Sequence, residues 1–235
     1  MKKLLVNFIL DESGSMTCIK DQTISGFNEY VDSLKPKGKA ARFTFTKFNS
    51  EKTNIVCDNI PVKDVLLLTS QNYCPSALTP LYDAIGGSIK AIEKALTKEP
   101  LDVLCVIMTD GQENCSREFT RNRIFEIIAE KQKEGWTFAY LGANQDSWGE
   151  GEKVGIVGSN TMDFAYDSTG VTRAFASTIV ATGRYMSNRI SSYASGHSQA
   201  VASTNYFANM EELKDDVEEY EKKIKERNDN KIGGI

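Results

Sequence analysis

The sequence predicts an α/β protein: a doubly wound, mostly parallel sheet with helices on both faces, one antiparallel edge strand and a C-terminal helical tail. Two observations carry this. Short apolar runs alternate with stretches of helical period as far as about Arg189, the pattern of parallel strands joined by right-handed crossovers. The runs around Leu4, Val103 and Phe138 are nearly continuous in Leu, Val, Ile, Phe and Met, as strands covered on both faces are.

The elements follow in chain order. Leu4–Leu10, interrupted only by Asn7, is a first central strand; it is too short to span a bilayer, and no small-residue cleavage site follows Lys2 and Lys3, so no export signal is expected. Asp21–Leu34 carries apolar residues three or four apart and predicts a helix. Arg42–Phe48 alternates strictly, which places it near an edge, and Thr53–Ile60 is a second short polar strand. In the helix expected over Pro80–Leu96, Thr79 offers a capping hydroxyl before a proline at the first helical position. Val103–Met108 is a buried strand, and Thr120–Glu134 a helix ended by Gly135 after Lys131 and Lys133. Thr137–Leu141 and Val171–Arg189 complete the alternation as strand and helix.

Beyond Arg189 the chain turns polar and then strongly charged from Glu211 to Arg227. Met210, Leu213, Val217, Tyr220 and Ile224 form an a/d stripe over two heptads. Two heptads are too few for a free coiled coil. The stripe is expected to dock on the domain's own surface, with self-association or a partner contact through helix 210–227 as the alternative. Two units result: a main domain over 1–190 and a polar linker with a charged amphipathic helix over 191–235.

Composition narrows the function. The 235 residues are 40% hydrophobic and 26% charged with a net charge of -4, an ordinary soluble balance that argues against nucleic acid or an anionic membrane as the main partner. The five cysteines, Cys18, Cys57, Cys74, Cys105 and Cys115, are odd in number and contain no C-x-x-C pair; reduced thiols and a cytoplasmic location are expected. Asn114-Cys115-Ser116 fits a glycosylation acceptor, but without export it would not be used.

The chemistry concentrates where the predicted strands end. Asp11-Glu12-Ser13-Gly14-Ser15 follows the first strand directly, so one carboxylate and two hydroxyls can converge from alternate residues. Thr79 with Asp83 opens a helix, and Thr109-Asp110-Gly111 ends the strand Val103–Met108. In a doubly wound sheet these exits lie on the ligand-binding rim. Oxygen donors of this kind suit a hard cation such as magnesium. Asp11 and Asp110 just balance a divalent ion, while Ser13, Ser15 and Thr79 add no charge, leaving a place for a partner's Asp or Glu.

These residues resemble a family. Asp11-x-Ser13-x-Ser15, Thr79-Pro80-Leu81-Tyr82-Asp83 and Thr109-Asp110-Gly111 look like the metal-ion-dependent adhesion site of von Willebrand factor A domains. The likeness spans about residues 1 to 190 and is nearest to short stand-alone intracellular or phage-encoded members. It implies a Rossmann-like sheet, Mg2+ or Mn2+ held by Asp11, Ser13, Ser15, Thr79 and Asp110 with one or both aspartates acting through water, and an acidic side chain of a protein partner completing the shell. It also implies a binding module that is not an enzyme.

Rival readings come from other classes. Haloacid-dehalogenase-like phosphatases keep an aspartate at the end of the first strand in a D-x-D-x-T motif, but here Ser13 replaces the second aspartate and cannot serve as general acid. An assembly protein using the C-terminal helix is a third class. Gly196-His197-Ser198-Gln199-Ala200 distantly resembles a nucleophile elbow, yet no strand precedes it and His197 is the sole histidine; His197 is expected to face solvent. Gly149, Gly151 and Gly155 match no nucleotide-binding pattern and read as a loop and helix end. Trp136 and Trp148 are expected at the core or rim.

Overall fold

The computed structural model describes residues 2–143, 147–196, 205–207 and 210–232. Strands β1 (Lys3–Asp11), β2 (Ala41–Phe48), β3 (Thr53–Pro61), β4 (Leu101–Thr109), β5 (Thr137–Ala143) and β6 (Thr161–Phe164) form one sheet in the order β3-β2-β1-β4-β5-β6. Every pairing is parallel except β2 with β3, so β3 is the antiparallel edge strand. From β1 the chain moves outward to β2 and later returns to β4 on β1's other side, so the topology switches direction between β1 and β4. The helices are α1 (Lys20–Leu34), α2 (Leu81–Leu96), α3 (Arg121–Lys133), α4 (Ser147–Lys153), α5 (Ser168–Ala194) and α6 (Met210–Ile232).

The two-residue period of β1 divides the core. Leu4, Val6, Phe8 and Leu10 pack with Phe27 and Tyr30 of α1 and Phe175 of α5; Leu5 and Ile9 face Ile85 and Ile89 of α2 and Ile124 of α3. The Phe8 ring lies edge-on to Phe27 at 5.4 Å and parallel to Phe175 at 6.1 Å. A large apolar side chain buried this completely contributes about 1.5–3 kcal/mol, so both sheet faces are held by their helices.

Several elements depart from expectation. β2 alternates in sequence, but Thr44, Thr46 and Lys47 are buried. The polar positions pair internally: Thr46 donates to Ser88 of α2 and Lys47 reaches Glu12. Alternation here marks satisfied polar groups rather than a wet face. α4 and β6 carry no sequence signal strong enough for their short lengths. α5 begins at Ser168, where Asp167 accepts the Gly170 amide at 2.7 Å, and runs past Arg189 to Ala194. The tail stripe packs on the domain: Leu213 and Val217 are buried, Tyr220 donates to Glu29 of α1 at 2.7 Å, and Asp216 pairs with Arg184 of α5. Trp136 is buried beside Phe138. The side chains of Trp148 and Met210, and the whole of His197 with its flanking Ser198, lie outside what is described. No helix among the described residues is long and apolar enough to cross a membrane.

Candidate metal centre

All five residues singled out in the sequence meet at the switch point between the carboxyl ends of β1 and β4. Asp11 is the last residue of β1; one of its carboxylate oxygens accepts the Ser13 amide at 2.7 Å and the other the Thr109 hydroxyl at 2.6 Å. Ser13 and Ser15 bring their hydroxyls within 3.2 Å of each other, and Ser15 donates to Asp110 Oδ1 at 2.7 Å. Asp11, Ser13 and Thr79 are buried whereas Ser15 is exposed, so the cluster opens to solvent on one side.

Thr79 does not do what its place before a proline predicted. α2 starts at Leu81 with Pro80 at the cap position and no capping side chain from that residue. The first-turn amides are instead satisfied from the β4–α3 loop: Tyr82 N–H donates to Glu113 and Asp83 N–H to the Ser116 hydroxyl. The Thr79 hydroxyl is thereby released to face the cluster. Asn114 holds it there, accepting the Thr79 amide at 2.9 Å and returning its own amide to the Thr79 carbonyl at 3.2 Å.

The arrangement fits a small hard cation on three observations. Asp110 Oδ2 is buried and has no hydrogen-bond partner, a costly state for a carboxylate oxygen unless something positive completes it. A Cβ at Gly111 would stand 3.0 Å from Thr79 Oγ1 and 3.8 Å from Ser15 Oγ, so the lack of a side chain keeps the space between those hydroxyls free. The donors are oxygens only, the chemistry Mg2+ and Mn2+ accept. Among the described residues no group of three or more His, Cys, Asp or Glu side chains is suited to a metal, so this candidate depends on its hydroxyls.

Electrostatics point the same way. Burial is the main cause that pushes the Asp11 carboxyl up from 3.8 to about 7; the hydrogen bonds from Thr109 and Ser13 oppose it, and Asp110 adds to it. Burial likewise raises Asp110, against the hydrogen bond from Ser15. Two acids are thus held together at some cost to their ionised forms, which a divalent ion would remove.

Several contributors carried no strong sequence signal. Asp83, in the first turn of α2, accepts the amides of Arg117, Glu118 and Phe119 at 2.8 to 2.9 Å and so shapes the loop after Asp110. Tyr73, fully buried, donates to the Asp11 carbonyl at 2.7 Å, and Tyr166 donates to the Ser15 carbonyl. Gly14 has ordinary backbone angles; its use is close approach, since its amide donates to Ala77 and a Cβ there would sit 3.4 Å from that carbonyl.

No family model matches the chain, and no curated protein matches it in sequence. Solved structures do match in fold. The VWA domain of SpRpn10 superposes with a TM-score of 0.54 over 77% of this chain and 95% of its own length, at 6% identity. The pilus adhesin SpaC of Lactobacillus rhamnosus GG gives 0.56 over 77% of this chain and 30% of its own, at 11% identity. Proximal thread matrix protein 1 of the mussel byssus gives 0.52 over 76% and 45%, at 13% identity. The chain therefore spans less than half of the latter two proteins. Its fold is that of a von Willebrand factor A domain: a mixed six-stranded sheet, mostly parallel, wrapped by helices and followed by a C-terminal helix.

Proposed function

We propose that the chain is a non-enzymatic protein-binding module that holds Mg2+ or Mn2+ through Ser13, Ser15 and Thr79 with Asp11 and Asp110, and grips an acidic side chain of a partner protein. The observation that carries this is the buried, unpartnered Asp110 Oδ2 together with the space at Gly111 bounded by the Ser15 hydroxyl and Thr79. Two carboxylates balance a divalent ion without saturating its coordination, so a carboxylate from outside remains welcome. The similar folds support the reading as far as their names go, since one is a pilus adhesin.

An enzyme is disfavoured because Ser13 stands where a haloacid-dehalogenase-like phosphatase needs its second aspartate as general acid. The free cysteines suit a reducing compartment such as the cytoplasm. Affinity capture on immobilised full-length protein tests the function. Partners retained in Mg2+, released by chelator and lost with Asp110→Ala support it; proteins held equally under all three conditions contradict it.

A further inference from the structure

Behind the metal-facing loop lies a charged pair that the five-residue site does not use. Glu12 follows Asp11 and turns its side chain into the interior, where it is 1% exposed. Its Oε1 accepts from Lys47 Nζ and from the Cys74 amide, both at 2.7 Å, while Oε2 is buried without a partner. Lys47, 6% exposed, also donates to the Asn72 carbonyl and lies 5.9 Å from the centre of the Tyr73 ring. Asn49 closes the other side, donating to the Glu12 carbonyl at 3.4 Å and to the Ser76 hydroxyl at 3.2 Å.

A buried ion pair seldom adds net stability, because desolvating both charges offsets their attraction. This one sits where its charge matters. Asp11, Glu12 and Asp110 place three carboxylates around one strand switch, and Lys47 is paired with the one that cannot face the hydroxyl cluster. The pair also spans two segments: Lys47 belongs to β2, whereas Asn72 and Cys74 belong to the connection that leads to Thr79. The same connection is tied to the metal-facing loop by the Ser76 amide on the Glu12 carbonyl and the Gly14 amide on Ala77.

We propose that the Glu12–Lys47 pair is a positioning and charge-setting device for the metal centre, with Lys47 cancelling the third carboxylate so that a bound ion meets two net negative charges and keeps its appetite for a partner's acid. The proposal rests on the metal-binding reading above. Without Lys47 a third negative charge behind the ion would favour more highly charged cations and weaken the pull on an external carboxylate.

The test is a charge cycle in the full chain. Mg2+ affinity is measured by calorimetry and Tb3+ affinity by luminescence for wild type, Glu12→Gln, Lys47→Met and the double variant. Glu12→Gln leaves the lysine uncompensated and should weaken Mg2+ at least about tenfold, the least expected of one unit charge acting on a divalent ion across a buried loop at an effective dielectric near 20. Adding Lys47→Met restores the net charge and should return Mg2+ affinity to within about threefold of wild type, although the ion pair and the Asn72 contact are both gone. Lys47→Met alone should raise the preference for Tb3+ over Mg2+ about tenfold, a reading that stands even where Glu12→Gln folds poorly. A purely structural pair would leave the double variant as weak as the single one, and that result overturns the proposal, as does an unchanged Tb3+ preference. Wild type that binds no Mg2+ brings down the site reading itself; wild type that binds it with a flat series across the variants brings down this inference alone.

Discussion

Gly111 and Thr79 share a space that tolerates little else. A methyl at 111 would press on the Thr79 hydroxyl at 3.0 Å, tight enough that the hydroxyl must shift. Gly111→Ala is expected to lower Mg2+ affinity at least several-fold while leaving the thermal transition within a few degrees, read by calorimetry and a melt on the same sample. Asp11 gives the site a pH dependence. Folded and metal-free, it keeps its proton to about pH 7, against 3.8 for the unperturbed group. Between those values the folded state holds a proton that the unfolded state has lost, so apo stability falls as pH rises through that window and levels off above about 7. A cation needs the ionised form. Mg2+ affinity should therefore climb from pH 5 to about 7 and then flatten, with proton release below pH 7 detected by titration in buffers of different ionisation enthalpy. Binding without proton release at pH 6 contradicts this account of Asp11.

The elements around the site are coupled through side chains that local sequence patterns do not advertise. Asp83 on α2 holds three amides of the loop that leads to α3, and Glu113 of that loop satisfies α2's first turn in exchange. Asp83→Ala removes a charged acceptor from three amides; at about 1.5–3 kcal/mol for a hydrogen bond to a charged group, before losses to solvent, destabilisation of at least about 2 kcal/mol by denaturant titration is expected. No change would mean that the loop is held by other contacts. α6 is a contrasting case. Leu213 and Val217 are buried, yet an apolar cleft of about 380 Å³ lined by Phe164, Ala174, Leu213 and Val217 stays open beneath the helix. Leu213→Ala should release α6 first, seen as faster amide exchange over 213–226 with the sheet unchanged; uniform protection would mean that α6 is as firmly packed as α5.

At the scale of the molecule, long strands and helices were legible because their periodicity is strong, and the Asp11, Ser13, Ser15 and Asp110 loops because they directly follow apolar strands. β6 and α4 were not, being only four and seven residues long, below what periodicity can resolve. Thr79 lies beside the cluster but is not the cap its sequence suggests: proline after threonine signals a cap, but the first-turn amides of α2 are held by Glu113 and Ser116, some thirty residues on. Such long-range substitutions cannot be read from spacing. The Glu12–Lys47 pair was hidden for a similar reason, since a lysine in an alternating strand reads as solvent-facing until the connection carrying Asn72 and Cys74 covers it.

The central claim is that one divalent cation is bound by the five residues joined at the β1–β4 switch. Calorimetric titration of Mg2+ into chelator-stripped protein, with Asp110→Ala as the control, tests it most directly. One-to-one binding in wild type, lost in the variant while its fold is retained by circular dichroism, is the expected result; no metal-dependent heat in wild type, or equal heat in the variant, contradicts it.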